Sequence, residues 1–358
     1  MATMTATTTT TGLILALDLG KFKSVACAYL GDPAAARFET LTTARDHLCR
    51  LFAKYRPALV VFEACALAGW VHDLCGELGL PCRVANTATE AWKFKHTKRK
   101  TDRDDALRLA QLQALSQLPA VAVPPVQTRQ WRALIAYRQT LVGRRVAVQN
   151  RIRALLVSQG LPAPRGAKAW TVVGLAGIAQ YAHPLADCAP EALWRGLLDL
   201  ALTEYRQTRQ WLDQAQAKLD ALAQADAGVR LLETIPGVGP RTAEVVSAYL
   251  GDGRRFANGK QVSAYGGLVP RQYQSGESDR RGRITRRGPA LLRQLLVECA
   301  WGLLRYNRWA RAVYQRLCRG QARKKQAIVA LARKLLVRCW AMLRDGTPWR
   351  EEPAAAPT

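Results

Sequence analysis

The chain lacks the sequence features of several large protein classes. It contains no run of about 18 uncharged apolar residues, so we expect no membrane-spanning helix and no membrane partner. Its nine cysteines include no C-x-x-C pair, which predicts reduced core thiols. The four histidines are scattered without the spacing of metal ligands. Residues 1–11 read as a disordered tail without the segments of a signal peptide, which predicts a cytoplasmic protein.

Acidic residues are scarce beside basic ones. The chain has 53 Lys and Arg against 27 Asp and Glu, a formal net charge of +26, and a pI near 10.3. Basic side chains recur in runs, among them Lys98-Arg99-Lys100. Because phosphates release counterions when cations bind them, this charge predicts a nucleic-acid partner. A basic protein without such a partner is the alternative.

The first third of the chain alternates short apolar runs with helical patterns. The order β-β-β-α-β-α-β between residues 13 and 85 predicts a mixed sheet with helices on its faces, as in the ribonuclease H fold class. A helix from 102 to 118 completes this domain, which we place at residues 12–118. The proline-punctuated segment 119–125 predicts a linker.

Four carboxylates in this domain are candidate metal ligands. Asp18 and Glu63 end predicted strands, where open α/β sheets place their sites. Asp102 and Asp105 are three residues apart at the start of a helix and therefore share a face. Converging carboxylates repel unless cations neutralise them, and Mg²⁺ or Mn²⁺ prefers such oxygen ligands. The alternative is that Thr101 and Asp102 cap the helix and that the strand-end acids are merely solvated.

Residues 126–226 predict a helical arm. Apolar residues repeat every seven positions between 128 and 159, and a second amphipathic helix spans about 191–225, which together predict an antiparallel coiled-coil hairpin. The segment 160–190 between them reads as irregular. The first helix carries seven arginines and no acid, which favours phosphate contact over a merely solvated face. These arginines are Arg129, Arg132, Arg138, Arg144, Arg145, Arg151 and Arg153.

The C-terminal domain, residues 227–345, contains two unusual stretches before a tail at 346–358. The run from Ile235 to Pro240 resembles a helix-hairpin-helix segment, in which backbone amides meet a phosphate; a plain tight turn is the alternative. Gly237, Gly239 and Arg241 are its candidate nucleic-acid contacts.

The second stretch, residues 264–293, is rich in glycine and carries five arginines within eight residues, which predicts a mobile cationic loop. Ser275 lies in it beside Gly276 and is a candidate nucleophile, although such serines are usually turn residues. Long basic helices, at about 290–304 and 309–343, follow. The candidate phosphate contacts in this stretch are Arg280, Arg281, Arg283, Arg286 and Arg287.

In this order the parts resemble the DEDD transposases of the insertion-sequence-110 family, most closely its 1111 subgroup, from Leu13 to about Leu343. The matching residues are Asp18, Glu63, Lys100-Thr101-Asp102-x-x-Asp105-Ala106, Ile235-Pro236-Gly237-Val238-Gly239-Pro240, Gly267-Leu268-Val269-Pro270-Arg271-Gln272, Ser275-Gly276, Gly282-Arg283-Ile284, Arg287-Gly288 and Leu292-Arg293. Pro289 departs from the family, which more often has Asn or Asp there.

The resemblance implies a RuvC-like domain that binds two Mg²⁺ ions through Asp18, Glu63, Asp102 and Asp105. It implies that Ser275 attacks a DNA phosphodiester and forms a phosphoserine link during strand exchange between element and target. It also implies a homodimer or tetramer in bacterial cytoplasm, guided by a structured noncoding bridge RNA that pairs with both DNAs. Because the carboxylates and the serine lie in different domains, we expect a composite site.

Three alternatives remain open at the level of the sequence. A RuvC-like metal-dependent nuclease or resolvase would use the carboxylates to hydrolyse DNA and would not need Ser275. A sugar-kinase or actin-like ATPase also begins with a strand followed by Asp-Leu-Gly, here Asp18-Leu19-Gly20. A non-catalytic nucleic-acid scaffold would use the same acids only as caps.

Overall fold

Residues 12–86, 101–275, 278–318 and 324–350 are described by the structure, a computed structural model. The chain folds as two compact units, one ending at Arg129 and the other beginning at Gln130. The predicted tail at 1–11 and most of the one at 346–358 lie outside the described residues. No helix of the described ranges is long and apolar enough to cross a membrane.

The first unit is built on a six-stranded mixed sheet. Its strands are β1 (Ile14–Asp18), β2 (Lys23–Tyr29), β3 (Arg37–Thr42), β4 (Leu59–Glu63), β5 (Cys82–Ala85) and β6 (Ala120–Val121). The order is β3-β2-β1-β4-β5-β6; β1 and β4 and also β4 and β5 are parallel, and the other pairs are antiparallel. The five strands predicted from the sequence are confirmed. The predicted linker is partly wrong, because β6 pairs with β5 inside it.

Helices cover both faces of this sheet. The helices α1 (Arg45–Tyr55) and α2 (Ala68–Glu77) pack on one face, against Leu15 and Leu17 of β1. The helix α3 (Asp102–Ala114) packs on the other face, against Ala16 of β1 and Val61 of β4. Since successive side chains of a strand point to opposite faces, both faces of these buried strands are apolar.

The second unit begins with a helical hairpin. Its long helices are α4 (Val126–Ser158) and α6 (Leu193–Ala225). Val148 and Ile152 pack against Leu202 and Tyr205, whereas Leu141, one turn or more earlier, meets Leu212 later in α6. The helices therefore run antiparallel, as predicted. The connecting segment is less irregular than expected, because α5 (Val172–Ala179) forms there with Thr171 as its cap.

In the described residues after the arm, six helices and one β-hairpin follow. The helices are α7 (Ala227–Glu233), α8 (Pro240–Leu250), α9 (Gly259–Tyr265), α10 (Ala290–Tyr306), α11 (Arg308–Cys318) and α12 (Lys324–Asp345). Their common core includes Ile135 and Leu219 from the base of the arm. The hairpin consists of β7 (Pro270–Ser275) and β8 (Ser278–Ile284). The prediction of a mobile loop for this stretch is therefore wrong.

Candidate functional site

Two of the four candidate carboxylates end adjacent parallel strands. Asp18 is the last residue of β1 and Glu63 the last of β4, and the residues before them, Leu17 and Phe62, are register partners. Neighbouring strands lie about 4.8 Å apart, so the two backbones end side by side. Both residues are half-buried. Asp18 lies two residues after Ala16, and Glu63 lies two residues after Val61; both Ala16 and Val61 pack against α3. Because every second residue of a strand points to the same face, Asp18 and Glu63 lie on the face that α3 covers.

The helix α3 directs its first turn toward this end of the sheet. Leu112 and Leu115, at its C-terminal end, line a cavity with Tyr29 of β2. Tyr29 pairs with Ile14, which begins β1. Because α3 packs along β1 and ends near the start of that strand, its opposite end lies toward the strand ends that carry Asp18 and Glu63. Asp102 and Asp105 stand in that first turn.

The three acids of the first turn have different environments. Asp105 is buried, with 9% of its surface exposed, whereas Asp102 and Asp104 are exposed. Thr101 is the N-cap: its hydroxyl oxygen accepts a bond from the Asp104 amide at 3.2 Å and donates to the Asp104 carboxylate at 2.7 Å. Helix capping, the alternative explanation of this stretch, is thus present at Thr101. It engages Asp104 and does not account for the burial of Asp105.

The carboxylates are not gathered into a finished metal site. Within the described ranges, no group of three or more His, Cys, Asp or Glu side chains is placed to hold a metal ion. The donor set at this end of the sheet nevertheless consists of carboxylate oxygens, the chemistry that Mg²⁺ and Mn²⁺ prefer. The backbone therefore brings Asp18, Glu63 and the first turn of α3 to one edge, without closing them around an ion.

A hydroxyl network holds the turn that follows Asp18. Thr43 donates to the carbonyl oxygen of Gly20 at 2.8 Å, and its Oγ1 lies 2.7 Å from the hydroxyl of the fully buried Ser24. A Cβ on Gly20 would lie 2.2 Å from the Lys23 carbonyl oxygen, so only glycine fits the turn. Sequence reasoning missed Thr43 and Ser24; the available signal was the hydroxyl of Ser24 at the start of the apolar pattern of β2.

The candidate nucleophile Ser275 is at the end of the β-hairpin in the second unit. It is the last residue of β7, is exposed, and pairs with Ser278, the first residue of β8. Every residue of β7 is exposed. The ring of Tyr273 lies beside Gly282 of the opposite strand, where an added Cβ would be 3.4 Å from it. The serine therefore ends an exposed, paired strand, where the sequence predicted a loop.

The base of the hairpin explains several of the glycines and arginines that the sequence singled out. Gly267 and Gly288 have positive φ angles of 65° and 77°. A Cβ would lie 2.0 Å from the Arg287 carbonyl oxygen at Gly267 and 1.9 Å from the Tyr265 carbonyl oxygen at Gly288. The Arg293 guanidinium donates to the carbonyl oxygens of Gly266 and Arg287, both at 3.2 Å. Two close backbone approaches and one arginine therefore join the two ends of the hairpin.

Most of the arginines predicted on this stretch are available to a ligand. Arg280, Arg283, Arg286 and Arg287 are exposed, and none forms an ion pair with a described residue. The side chain of Arg281 lies outside the described part of the chain, as do Lys98, Arg99 and Lys100. The exposed arginines leave Ser275 on a strongly cationic ribbon.

The turn with the glycine pair connects α7 to α8. Gly237 has a φ of 92°, and an added Cβ would lie 3.1 Å from Leu303 of α10. Gly239 is the N-cap of α8, and its carbonyl oxygen accepts a bond from the Ala243 amide at 3.1 Å. The two-helix arrangement is present, and Val238 between the glycines is buried.

Arg241, predicted to contact nucleic acid, is instead paired inside the protein. It forms ion pairs with Asp220 of α6 and Glu244 of α8, the latter at 2.7 Å. Glu244 is almost completely buried and also accepts a bond from the Trp131 indole at 3.0 Å. Burial raises the pKa of Glu244, against the hydrogen bond from Trp131 and the charge of Arg241. The charge of Arg241 is thus used to stabilise a buried acid.

Most of the α4 arginines, predicted to form a phosphate-binding face, also have partners within the protein. Arg144 and Arg151 both bind Glu204 of α6, at 2.9 and 2.7 Å. Arg138 donates to Gln216 at 2.9 Å, and burial lowers its pKa. The half-buried Arg145 has an Nε atom shut off from solvent. Arg129 binds Asp73, and Arg132 donates to the carbonyl oxygens of Ala248 and Tyr249. Arg153 donates to Asn150 and to the Pro164 carbonyl oxygen. Except for Asn150, the partners named here lie outside α4, so the helix sequence alone could not show them.

Comparison with known proteins finds a family match in each half of the chain. Residues 15–159 match the DEDD transposases of IS110 elements, and residues 229–315 match the family described as transposase IS116/IS110/IS902. The transposase for insertion sequence element IS1111A of Coxiella burnetii is 31% identical over 351 residues, which cover 94% of this chain and 91% of that protein. A probable family 20 transposase of Pseudomonas aeruginosa is 32% identical over 316 residues, 84% of this chain and 88% of that protein.

A shorter match has a different description. The pilin gene-inverting protein of Moraxella lacunata is 36% identical over 124 residues, which cover 33% of this chain and 38% of that protein. The sheet order and the family matches agree on a RuvC-like α/β first unit followed by a helical second one. On this evidence the chain belongs to the IS110 family of DEDD transposases and is a DNA transposase, an enzyme of DNA recombination.

Proposed function

We propose that this transposase cuts and rejoins DNA strands between a mobile element and its target through a covalent link to Ser275. The observation that carries the proposal is the position of this serine, which is exposed at the end of a hairpin strand, near Arg280, Arg283, Arg286 and Arg287, four exposed arginines without a carboxylate partner among the described residues. A hydroxyl so placed reaches a backbone phosphate held by the neighbouring guanidinium groups.

The chemistry is a pair of balanced transesterifications. The Ser275 oxygen forms a bond to phosphorus, the serine proton leaves to solvent, and the bond to one deoxyribose oxygen breaks, which takes up a proton. A hydroxyl of the strand to be joined then attacks the phosphoserine, restoring the serine. Each step exchanges one phosphate ester for another, so no nucleotide triphosphate is consumed.

The carboxylates of the first unit are the proposed ligands of two divalent ions. Asp18, Glu63, Asp102 and Asp105 would supply oxygen donors, and Mg²⁺, or Mn²⁺ in its place, would stabilise the negative charge that develops on the phosphate. We propose that the phosphate oxygens of bound nucleic acid supply further ligands to these ions. The serine and the carboxylates lie in different units, which favours a composite site in a dimer or tetramer.

We further propose that a structured noncoding RNA selects the DNA. The cationic hairpin binds phosphates, which position a nucleic acid without reading its sequence. Pairing between a guide RNA and both DNAs would supply the missing specificity, as in other RNA-guided enzymes. The glycine turn before α8, with its helix N-terminus, is a further proposed phosphate contact of helix-hairpin-helix type.

A denaturing gel tests the nucleophile. The protein, purified with its bound RNA, is incubated with labelled DNA carrying element ends and target. We expect a protein–DNA adduct that survives denaturation, and we expect Ser275→Ala to abolish it. Ser278→Ala is the matched control, since it removes the hydroxyl directly opposite and should retain the adduct. Cleavage that persists in Ser275→Ala without an adduct would instead support hydrolysis by a RuvC-like nuclease.

A second set of variants tests the carboxylates. Asp18→Asn, Glu63→Gln and Asp105→Asn should each abolish cleavage, whereas Asp104→Asn in the same helical turn should retain it. Chelation with EDTA should stop the reaction, and added Mg²⁺ or Mn²⁺ should restore it. Full activity of the Asp105→Asn variant would contradict the proposed ligand set and favour a purely capping role for the first turn.

A further inference from the structure

A second cationic site, separate from the hairpin, lies between three helices of the second unit. A cavity of about 770 Å³ is bounded by α9, α11 and α12. On α12 its lining residues are spaced to form one stripe: Arg333, Lys334, Val337, Arg338 and Ala341. Lys260 of α9 and Arg316 of α11 face the same space. We call this cavity the α12 groove.

Four of the cations that line the α12 groove have no partner among the described residues. Lys260, Arg316, Arg333 and Lys334 form no ion pair or hydrogen bond with any described residue, and none of the described lining residues is acidic. Assembling four such cations around one cavity is unfavourable unless an anion enters it. The groove is therefore arranged for a polyanionic ligand.

Aromatic residues accompany these cations at one side of the groove. Trp309 lines the cavity, and Arg338 is placed over both Trp309 and Trp349, at 5.3 and 5.1 Å from the ring centroids. The two rings meet edge to face at 5.4 Å. Cations that follow a backbone together with aromatic and guanidinium surfaces that stack on bases are the usual equipment of single-strand binding sites.

We propose that the α12 groove binds an unpaired stretch of a nucleic-acid strand. A cavity of this volume matches the size range of drug-like ligands, roughly that of one or two nucleotides. A duplex keeps its bases stacked inside and cannot offer them to the groove. The inference builds on the proposed function, since it names the form in which the nucleic-acid partner is held at this place.

The position of the groove links it to the hairpin. Val269 lines the cavity and is followed directly by Pro270, the first residue of β7. The six residues of β7 extend about 20 Å, so Ser275 stands about that far along the hairpin from the groove. A strand anchored in the groove has its next few nucleotides within range of the hairpin.

Fluorescence anisotropy with labelled 12-residue oligonucleotides tests the proposal. The full-length protein, freed of RNA by a high-salt wash, is titrated with single-stranded RNA, single-stranded DNA and the DNA duplex. We expect a single strand to bind more tightly than the duplex. Comparing single-stranded RNA with single-stranded DNA then identifies which of the two the groove prefers. Arg333→Gln/Lys334→Gln should raise the single-strand Kd about tenfold and flatten the salt slope by about 1.4.

The matched control removes the same charge from the arm. The Arg144→Gln/Arg151→Gln variant also loses two positive charges, but these belong to side chains that are paired with Glu204. We therefore expect less than about a twofold change in Kd. Lys260→Gln, on a separate helix, repeats the groove test if the α12 variant fails to fold. Equal losses in groove and arm variants, or tighter binding of the duplex, would overturn the proposal.

The measurement separates this inference from the serine chemistry. Binding is also measured in Ser275→Ala, where the groove should bind normally. Normal adduct formation with no effect of the groove variants on single-strand affinity would refute the groove alone. Groove-dependent binding without any adduct would refute the covalent mechanism alone.

Discussion

The arm and the α12 groove contain the same kinds of basic residue and use them in opposite ways. In the arm, Arg144 and Arg151 bind Glu204 of the facing helix. In the groove, Arg333 and Lys334 meet no acidic residue of the described chain. Both helices look alike in sequence, as amphipathic segments with arginine on the polar side. Only the neighbouring helix decides whether those charges stabilise the fold or remain available to a ligand.

The difference shows what the large positive charge of the chain is used for. Part of it is taken up at the base of the arm, where Arg241 neutralises Glu244 in a largely buried setting. Another part has no acidic partner among the described residues, namely Arg280, Arg283, Arg286 and Arg287 at the hairpin and Lys260, Arg316, Arg333 and Lys334 in the groove. The formal net charge of +26 therefore overestimates how much positive charge is available to contact phosphate. The unpaired set is the one to test for nucleic-acid binding.

The largest expected effect that follows from this comparison is on stability. Glu244→Ala removes the buried partner of Arg241 and leaves the Trp131 indole without its acceptor. Arg241 keeps its ion pair with Asp220 but loses its buried partner, so we expect a loss of about 2 kcal/mol in the free energy of unfolding, measured by urea denaturation. Asp213→Ala, an exposed acid of α6, should change it by less than about 0.5 kcal/mol. Similar small values for both variants would mean that the network contributes little.

A smaller effect is expected when the arginines of the arm lose their acidic partner and become available to a ligand, like the cations of the groove. Glu204→Ala releases Arg144 and Arg151, whose side chains are 48% and 58% exposed. We expect single-stranded nucleic acid to bind about twofold to fivefold more tightly, with a salt slope steeper by about 1, in the same anisotropy assay. Glu298→Ala removes an equal charge from an exposed acid of α10 that has no arginine partner among the described residues, and should leave the slope unchanged. An identical gain in the control would show that net charge alone is responsible.

The smallest effect is a pH dependence of the arm. The hydrogen bond from Arg144, followed by that from Arg151, lowers the pKa of Glu204. A carboxyl whose pKa is lowered on folding stabilises the protein above its unfolded pKa and loses that contribution as the pH falls through the folded value. We therefore expect the difference in melting temperature between wild type and Glu204→Gln to be largest near neutral pH and to vanish in acid.

This difference in melting temperature should correspond to no more than about 1 kcal/mol in the free energy of unfolding, because Glu204 and its two arginines are partly exposed to solvent. Removing both arginines should produce the same loss in the wild type and no further loss in Glu204→Gln. A melting difference that grows toward acid would contradict the assignment.

Local sequence patterns were sufficient for the elements that depend on neighbouring residues. Alternation of apolar runs and turns identified the five long strands of the sheet, and the seven-residue repeat identified the paired helices of the arm. Strand ends also indicated Asp18 and Glu63 as candidates, because the end of a parallel strand is a property of one short segment. The hairpin was missed, since β7 and β8 have few apolar residues and are defined by pairing with each other.

The amino-acid sequence by itself thus determined the strands, the helices, the excess of positive charge and the family to which the chain belongs. The tertiary structure alone decided which arginines are neutralised, that Ser275 stands at the end of a ribbon, and that α9, α11 and α12 bring Lys260, Arg316, Arg333 and Lys334 to one cavity. The physical reason is range: propensity and periodicity act over a few residues, whereas ion pairs such as Arg144 with Glu204 join positions 60 apart in the chain.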